Sequence, residues 1–409
     1  MSTTIFYIIV FILIADFIGN RTLSLLNIKA SKAKIPTLLA GIYNEEKYGK
    51  QQHYLRTNAK FGWVTATFSF LLILAMYTFG GFAWLDSLVR TLSNNELVTS
   101  LLFFGVLFFA KDLLTIPLQW YHTFVIETRF GFNKVTPKIF ILDKLKSWGL
   151  ELLIGGGLLT VIIVIYQQTP TYFWLIAWSV VTAFSLFMSL FYSELIVPLF
   201  NKQTPLEAGE LRDAIEQFAE KTDFNIKNIY VIDGSKRSTK ANAYFTGWGR
   251  KKRIVLYDTL IKELSTDEIV AVLAHEIGHN KHKHTLKGLA ISLPMNLLLF
   301  FLLGLILNNN AIAQSVGCNE ASFHINMLVF GILYTPISLL LELVNNMLSR
   351  HHEYQADAFV KTHGYAEHLV NALKKISSSA LSNLTPHPLY VLVNHSHPTL
   401  YERIKKLTT

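Results

Sequence analysis

Two histidines and a glutamate have a spacing that, on a helix, places two metal ligands on one face and a possible general base beside them. The segment reads His275-Glu276-Ile277-Gly278-His279. Positions four apart share one face of a helix, so both imidazoles can direct a ring nitrogen at one zinc ion. Glu276 points about 100° away from His275 and need not ligate. It is free to take a proton from a water in the open coordination position, which predicts metal-dependent hydrolysis.

Catalytic zinc takes a third protein ligand, for which Glu353 is the best candidate. Asn346, Arg350, Glu353 and Asp357 follow helical spacing and form one polar stripe beyond the last apolar run. Asp357, one turn after Glu353, is expected to accept the other ring N–H of a zinc histidine. Without the histidine motif, the same stripe would be interpreted as a solvated helix face.

Four further histidines are expected to stay outside the ligand set. His282 and His284 alternate with lysines, which predicts a wet, basic turn at the membrane surface. His351 and His352 flank Glu353 but point elsewhere on a helix, so we expect structural or supporting roles for them.

Two histidines of the C-terminal tail leave two interpretations open. His395 and His397 stand in the segment Asn394-His395-Ser396-His397-Pro398. A donor near the zinc ion would stabilise the oxyanion that forms when a peptide carbonyl is attacked. From spacing alone, each of them is as compatible with an ordinary surface position as with hydrogen bonding to the oxyanion.

Long apolar runs must position these motifs in a membrane. The chain has 409 residues, of which 51% are hydrophobic and 16% charged, against roughly a quarter charged in soluble domains. Runs of spanning length lie at about 4–26, 63–85, 99–118, 147–166, 171–198, 286–308 and 323–348. We predict that the first is a retained anchor, because it is long for a signal peptide and lacks a small-residue cleavage site.

Connections that are rich in lysine and arginine alternate with connections that are poor in them. Segments 27–62, 119–146 and 199–285 are basic, whereas 86–98 has only Arg90, and 167–170 and 309–322 have neither residue. Because basic loops remain in the cytoplasm, the pattern predicts seven spans, with the N-terminus outside and the C-terminus and zinc site cytoplasmic. The net charge of +9 then reflects loops that face anionic lipid rather than nucleic acid.

The connection 199–285 is predicted to be a cytoplasmic insert. Ser265-Thr266-Asp267-Glu268 is a capping box that starts the helix of the metal motif. Glu207–Lys221 has helical periodicity, and the β-rich runs Asn228–Asp233 and Arg253–Asp258 are predicted to pair in a small sheet. We divide the chain into an N-terminal transmembrane region (1–198), the insert (199–285), the sixth and seventh spans (286–348) and a C-terminal cytoplasmic region (349–409). The single cysteine excludes an intrachain disulfide framework.

Long motifs in one order make a family resemblance specific, and they cover nearly the whole chain. These are Thr123–Lys134, Pro198–Lys202, Lys240–Gly247, His275–His279, Glu353–Asp357 and Ser396-His397-Pro398 with Arg403. With them, the chain resembles the type 1 CAAX prenyl protease family, which are integral-membrane zinc endopeptidases of the gluzincin type. The resemblance implies an all-α membrane protein whose seven transmembrane helices enclose a chamber, with a small cytoplasmic α+β zinc-protease insert.

The resemblance also implies the site. One zinc ion (Zn²⁺) per chain would be held by His275, His279 and Glu353, with Glu276 as the general base. Asn242 would bind the substrate backbone, Arg403 would support the site at a substrate-binding position, and His397 would donate to the oxyanion.

The family removes the tripeptide of a C-a-a-X sequence after its cysteine is prenylated, and some members act in membrane-protein quality control. We expect a monomer in the lipid bilayer that binds a peptide or prenylated protein and no nucleic acid. The short external loops, and a Lys405-Lys406 pair that is not placed as a retrieval signal, favour a bacterial inner membrane over the endoplasmic reticulum.

Three alternative functions remain at the level of sequence. Polar residues inside the spans suit a transporter as well as a chamber: Asp16, Lys111, Asp112, Asn296 and Glu342. A transporter would bind no zinc and would tolerate Glu276→Gln. An inactive scaffold would lack a base or a third ligand, and both are present. A broad quality-control protease would share the zinc site without requiring a prenyl group.

Overall fold

The computed structural model describes residues 2–224, 226, 228–246 and 253–409, and most of them are helical. The α-helices are α1 Ser2–Ala30, α2 Glu45–Thr78, α3 Gly81–Leu92, α4 Glu96–Tyr121, α5 Thr128–Phe130, α6 Pro137–Leu150, α7 Gly156–Gln168, α8 Phe173–Leu195, α9 Val197–Phe200, α10 Glu210–Lys221, α11 Asp258–Glu263, α12 Thr266–Lys281, α13 His284–Ile306, α14 Asn310–Gln314, α15 Phe323–Leu333, α16 Thr335–Thr362, α17 Ala366–Ser379, α18 Pro388–Asn394 and α19 Leu400–Thr408. The strands are β1 Gln203–Pro205, β2 Asn228–Ile232, β3 Ala243–Thr246 and β4 Arg253–Tyr257. Gly247, which ends the predicted motif Lys240–Gly247, lies outside the described residues.

Membrane-spanning helices make up most of the chain. Within the described residues, 6 helical segments are long and apolar enough to cross a bilayer: Ser2–Ala30, Glu45–Thr78, Glu96–Phe130, Pro137–Gln168, Pro170–Phe200 and His284–Ile306. A seventh consists of α15 and α16, which meet at a bend of 52°. The predicted number of spans is therefore reached when this bent pair counts as one.

Two predicted spans differ from the helices in their ends or their course. The run 63–85 does not continue as one helix, because Gly80 adopts the left-handed conformation (φ 69°) and separates α2 from α3. The run 323–348 bends before α16, which has Pro336 in its first turn. Proline lacks the N–H that would continue the hydrogen bonds of α15. Beyond the bend, α16 runs without interruption to Thr362 and carries Glu353 on the same helix.

A four-stranded sheet forms the core of the insert, in the order β1-β2-β4-β3. The two predicted strands pair in parallel, with Asn228 opposite Arg253, so their predicted pairing is confirmed. Strands β1 and β3 were not predicted, since runs this short have little periodicity. β3 pairs with β4 and forms one edge of the sheet. The division of the chain into four regions remains a prediction.

The predicted capping box begins α12. Ser265 and Glu268 exchange side-chain and backbone hydrogen bonds, as expected. The Glu268 carboxylate also accepts a hydrogen bond from Lys375 Nζ of α17 at 2.7 Å. Further along α12, Leu273 and Ile277 are buried in the core that contains Leu256 of β4. The metal motif therefore lies on a helix that is fixed both at its start and along its length.

We predict that Glu268→Gln lowers the stability of the detergent-solubilised protein at pH 7. Burial disfavours the ionised carboxylate, but Lys375 and the hydrogen bonds of Ser265 together outweigh burial and lower the pKa of Glu268 below its ordinary value of 4.5. Lys375 is 48% exposed, so solvent screens the pair and we expect a loss of about 1 kcal/mol. The measurement is the melting temperature, with the exposed neighbour Asp267→Asn as the control.

The pH dependence of this loss has a definite sign. A carboxyl whose folded-state pKa is lowered contributes its full stabilisation above the unfolded-state pKa and loses it as pH falls through the folded-state pKa. The difference between Glu268→Gln and the parent should therefore shrink as the pH falls below about 4.5. A difference that is the same at pH 7 and pH 4 would contradict this account.

Candidate metal centre

Close packing of α12 on α16 brings the metal motif to the predicted third ligand, Glu353. A Cβ atom added at Gly278 would lie 3.1 Å from Ala356 Cα and 3.1 Å from Phe359 Cβ. Glycine therefore lets the two backbones approach more closely than any other residue would. Glu353 lies on the turn of α16 before Ala356, and this approach directs its carboxylate at His275 and His279.

Nitrogen and oxygen atoms of three residues converge on one point. His275 Nε2 and His279 Nε2 are 3.1 Å apart, and the Glu353 carboxylate lies 3.3 Å from the first and 3.2 Å from the second. A tetrahedral zinc ion with bonds of about 2.0–2.1 Å holds its ligand atoms about 3.3 Å apart. The spacing of the three groups thus matches a shared zinc ion.

Among the residues that the structure describes, one carboxylate oxygen of Glu353 lacks a hydrogen-bond donor, which is what a cation bound at this point would explain. Glu353 Oε2 is buried, and no donor meets it in hydrogen-bond geometry within the described residues, although two histidine nitrogens are within 3.3 Å. A buried carboxylate oxygen without a partner is costly, and a metal ion would supply the missing interaction. The predicted ligands His275, His279 and Glu353 therefore fit the group that the sequence implied.

Asp357 and Arg403 stand behind His275. Asp357 Oδ1 is 2.9 Å from His275 Nδ1, which is the contact expected from the sequence. Arg403 donates two hydrogen bonds to the same carboxylate, of 2.9 and 2.7 Å, and is 11% exposed. This geometry favours Arg403 as a support of the ligand set rather than as a group that touches substrate.

The electrostatic environment of His275 is negative. Burial disfavours its protonated form, but Asp357 and Glu353 outweigh burial and raise the pKa of His275. The same carboxylates would attract a divalent cation.

The C-terminal tail reaches the site through two other members of the polar stripe. Asn346 Nδ2 donates to Val393 O at 2.7 Å, and Arg350 Nη1 donates to His395 O at 2.6 Å. These bonds hold the end of α18 against α16. His397 Nδ1 then lies 3.0 Å from Glu353 Oε2, with 65% of its side chain exposed. Of the two tail histidines, only the side chain of His397 joins the ligand cluster in the part of the chain that the structure describes.

Asn242 lies outside this cluster, immediately before edge strand β3. Its side-chain oxygen accepts a hydrogen bond from Ala243 N at 2.9 Å, and its carbonyl accepts one from Tyr257 N at 3.0 Å. Ala243 packs against the same core as α12. Among the described strands, the edge of β3 that faces away from β4 has no neighbour in the sheet order. An extended peptide can pair with such an edge.

A charged contact that the sequence did not reveal joins this strand to the spans. Lys240 Nζ donates to Glu127 Oε2 at 3.0 Å and to Tyr54 OH at 3.1 Å. Tyr54 in turn donates to Glu127 Oε1 at 2.7 Å. Glu127 belongs to the motif Thr123–Lys134, for which spacing alone offered no role.

The prediction for His284 was wrong. Its side chain is buried, with 6% exposed, and its Nδ1 lies 2.9 Å from His279 Nδ1. His282 is exposed, as expected. Lys283 adopts a left-handed conformation (φ 56°), and the turn folds the start of α13 back against α12. Sequence periodicity could not find this contact, because the turn interrupts the helical spacing.

Comparison with known proteins gives two family matches. A family described as the CAAX prenyl protease N-terminal region, with five membrane helices, matches residues 24–202, and peptidase family M48 matches residues 205–409. The chain is 37% identical to a probable CAAX prenyl protease 1 of Schizosaccharomyces pombe, over 92% of this chain and 82% of that protein. It is 30% identical to the human CAAX prenyl protease 1 homolog, over 92% of this chain and 89% of the relative.

A solved structure agrees with these matches. The crystal structure of S. mikatae Ste24p superposes with a TM-score of 0.94 at 35% identity, over 99% of each chain. The chain belongs to the type 1 CAAX prenyl protease family, within peptidase family M48. It is a multi-span membrane metalloendopeptidase, and the resemblance deduced from its motifs is confirmed.

For this family member we predict that Gly278→Ala weakens zinc binding and peptide cleavage together. The added methyl group meets the α16 backbone and must push Glu353 away from the two histidines. We expect a loss of stability of about 1–3 kcal/mol, the usual range for overpacking. Zinc affinity is measured by competition with a chelator, and stability by melting temperature.

Gly288→Ala in α13 is the matched control, because a Cβ at this position meets nothing within 4 Å. It should leave both properties unchanged or raise the melting temperature slightly, since alanine favours helix. Equal behaviour of the two variants would show that the close approach at Gly278 does not set the ligand geometry.

Proposed function

We propose that this chain is a zinc-dependent endopeptidase that cleaves prenylated CAAX-type substrates near their C-terminus. The single observation that carries the proposal is the convergence of His275, His279 and Glu353 at ligand spacing. The two histidines lie on α12, the helix that also carries Glu276. The relatives that share nearly the whole chain are named CAAX prenyl proteases, which supports the substrate class.

Several residues of this chain have separate roles in the proposed reaction. Zinc, when bound, supplies Lewis-acid chemistry that polarises a peptide carbonyl and acidifies water. Asp357 accepts the Nδ1–H of His275 and so keeps the Nε2 lone pair directed at the ion. Glu276 takes the proton of the attacking water and returns it to the leaving amine nitrogen.

Substrate binding involves the remaining predicted residues. An extended peptide pairs with the free edge of β3, where Asn242 binds its backbone. His397, which is exposed and flanks Glu353, donates a hydrogen bond to the carbonyl oxygen as it gains negative charge. Arg403 acts through Asp357, to which it donates two hydrogen bonds.

The membrane orientation belongs to the same proposal. The alternation of connections rich and poor in lysine and arginine supports an external N-terminus, with the C-terminus and zinc site in the cytoplasm. This orientation would expose the site to cytoplasmic substrates in either a bacterial inner membrane or the endoplasmic reticulum. We further propose that the chain acts as a monomer and binds no nucleic acid.

Replacement of the general base tests the mechanism. Glu276→Gln should retain one zinc ion per chain, because Glu276 is not a ligand, and should lower kcat by about 10²–10⁴-fold, the usual contribution of a general base. Metal content of the detergent-purified protein and peptide turnover are measured on the same sample. Turnover at the parental rate would reject Glu276 as the base.

Glu353→Gln is the contrasting variant, since it alters a ligand and leaves the base in place. We expect it to lose zinc at chelator concentrations that the parent withstands. Unchanged zinc affinity would assign the third ligand elsewhere. Chelation should abolish turnover in the parent, and added zinc should restore it.

A pair of peptides tests the substrate class. The two peptides share one C-a-a-X sequence, and only one is farnesylated on its cysteine. We expect kcat/KM to be at least tenfold higher for the farnesylated peptide, because burial of only two of its methylene groups is worth about 1.6 kcal/mol. Equal values would identify a broad quality-control protease without a prenyl requirement.

A further inference from the structure

His284 has no part in the proposed reaction, yet it is buried against a metal ligand. Its Nδ1 is 2.9 Å from His279 Nδ1, and its Nε2 is 2.8 Å from Gln355 Oε1. Gln355 Nε2 is 3.2 Å from His351 Nε2, and His351 is exposed. A line of hydrogen bonds thus leads from the metal ligand to the surface of the protein.

The direction of these hydrogen bonds follows from the ligand at one end. The Nε2 atom of His279 faces the metal position, so its lone pair is used there and the ring proton stands on Nδ1. This N–H must donate to His284 Nδ1. His284 then carries its own proton on Nε2 and donates it to Gln355 Oε1, and the Gln355 amide donates to His351.

The two zinc histidines are therefore supported in different ways. Behind His275 stands the carboxylate of Asp357, whose charge is balanced by Arg403. Behind His279 stands a neutral imidazole, which accepts one hydrogen bond and passes one on.

The surroundings of His284 hold it in this orientation. Its ring stacks on that of His352, with 4.1 Å between centroids and 13° between planes. His352 and Gln355 both belong to α16, the helix that carries Glu353. The left-handed turn at Lys283 supplies the remaining constraint.

We propose that His284 is a positioning residue for the zinc ligand His279. It keeps His279 in the tautomer that has its proton on Nδ1, with the Nε2 lone pair directed at the metal. The inference rests on the zinc site proposed above and adds to it a residue that does not touch metal or substrate. Loss of such a partner typically weakens metal binding by about 10–100-fold.

Two amide substitutions separate hydrogen bonding from packing. In His284→Asn, the side-chain oxygen can occupy the place of Nδ1 and accept from His279. In His284→Gln, the amide group reaches the place of Nε2, next to Gln355, and leaves His279 without its acceptor. Zinc affinity of the full-length protein in detergent is measured by chelator competition, and gel filtration and melting temperature establish that each variant is folded.

We expect His284→Asn to bind zinc within about threefold of the parent, and His284→Gln and His284→Ala to bind about 10–100-fold more weakly. His282→Ala, two residues earlier and exposed, removes a ring that stacks on His284 with 5.5 Å between centroids and leaves the hydrogen bonds of His284 in place. It is the packing control and should bind as the parent does. The Asn and Gln variants should have similar melting temperatures, so that the difference in affinity is not a difference in folding.

Equal zinc affinity of His284→Asn and His284→Gln, whether parental or weakened, would overturn the proposal, because the position of the acceptor would then not matter. Parental affinity in His284→Ala would overturn it as well. A parent protein that binds no zinc would instead contradict the zinc site itself, so the two proposals fail in distinguishable ways.

Discussion

The approach of two helix backbones at Gly278 is the contact on which the metal centre depends. Helix α12 carries two of the proposed ligands and the proposed base, and α16 carries the proposed third ligand, so the site exists only where these helices meet. A zinc ion tolerates little variation in ligand distance. A Cβ atom at position 278 would lie only 3.1 Å from Ala356 Cα, so the lack of a side chain at Gly278 is part of the ligand geometry.

Burial of carboxylates is the second constraint, because each buried negative charge needs a positively charged partner. Glu353 and Asp357 are both buried, and a buried carboxylate without a partner is strongly destabilising. Arg403 donates two hydrogen bonds to Asp357, whereas its Nη1 lies 3.6 Å from Glu353 Oε2, so Glu353 is the carboxylate that a metal ion would balance. The same arrangement explains why Arg403 belongs to the support of the site although it comes from the last helix of the chain.

Contacts between the insert and the spans fix the position of the metal site relative to the membrane helices. Lys240 binds Glu127 and Tyr54, so the chain that leads into β3 is attached to two spanning segments. On the other side, the bend between α15 and α16 directs the continuation of a span against α12. The active site is thus assembled from elements that a bilayer would hold in register.

The sequence by itself determined the elements that have local or periodic causes. The capping box at Ser265 starts α12, the four-residue spacing presents His275 and His279 on one face, and the stripe on α16 identifies Glu353 and Asp357. Only the tertiary structure decided the partners of His284, Arg403 and Lys240. Each of these contacts crosses a turn or joins segments far apart in the chain. Side chains that meet in this way leave no periodic pattern, because their distances are set by packing.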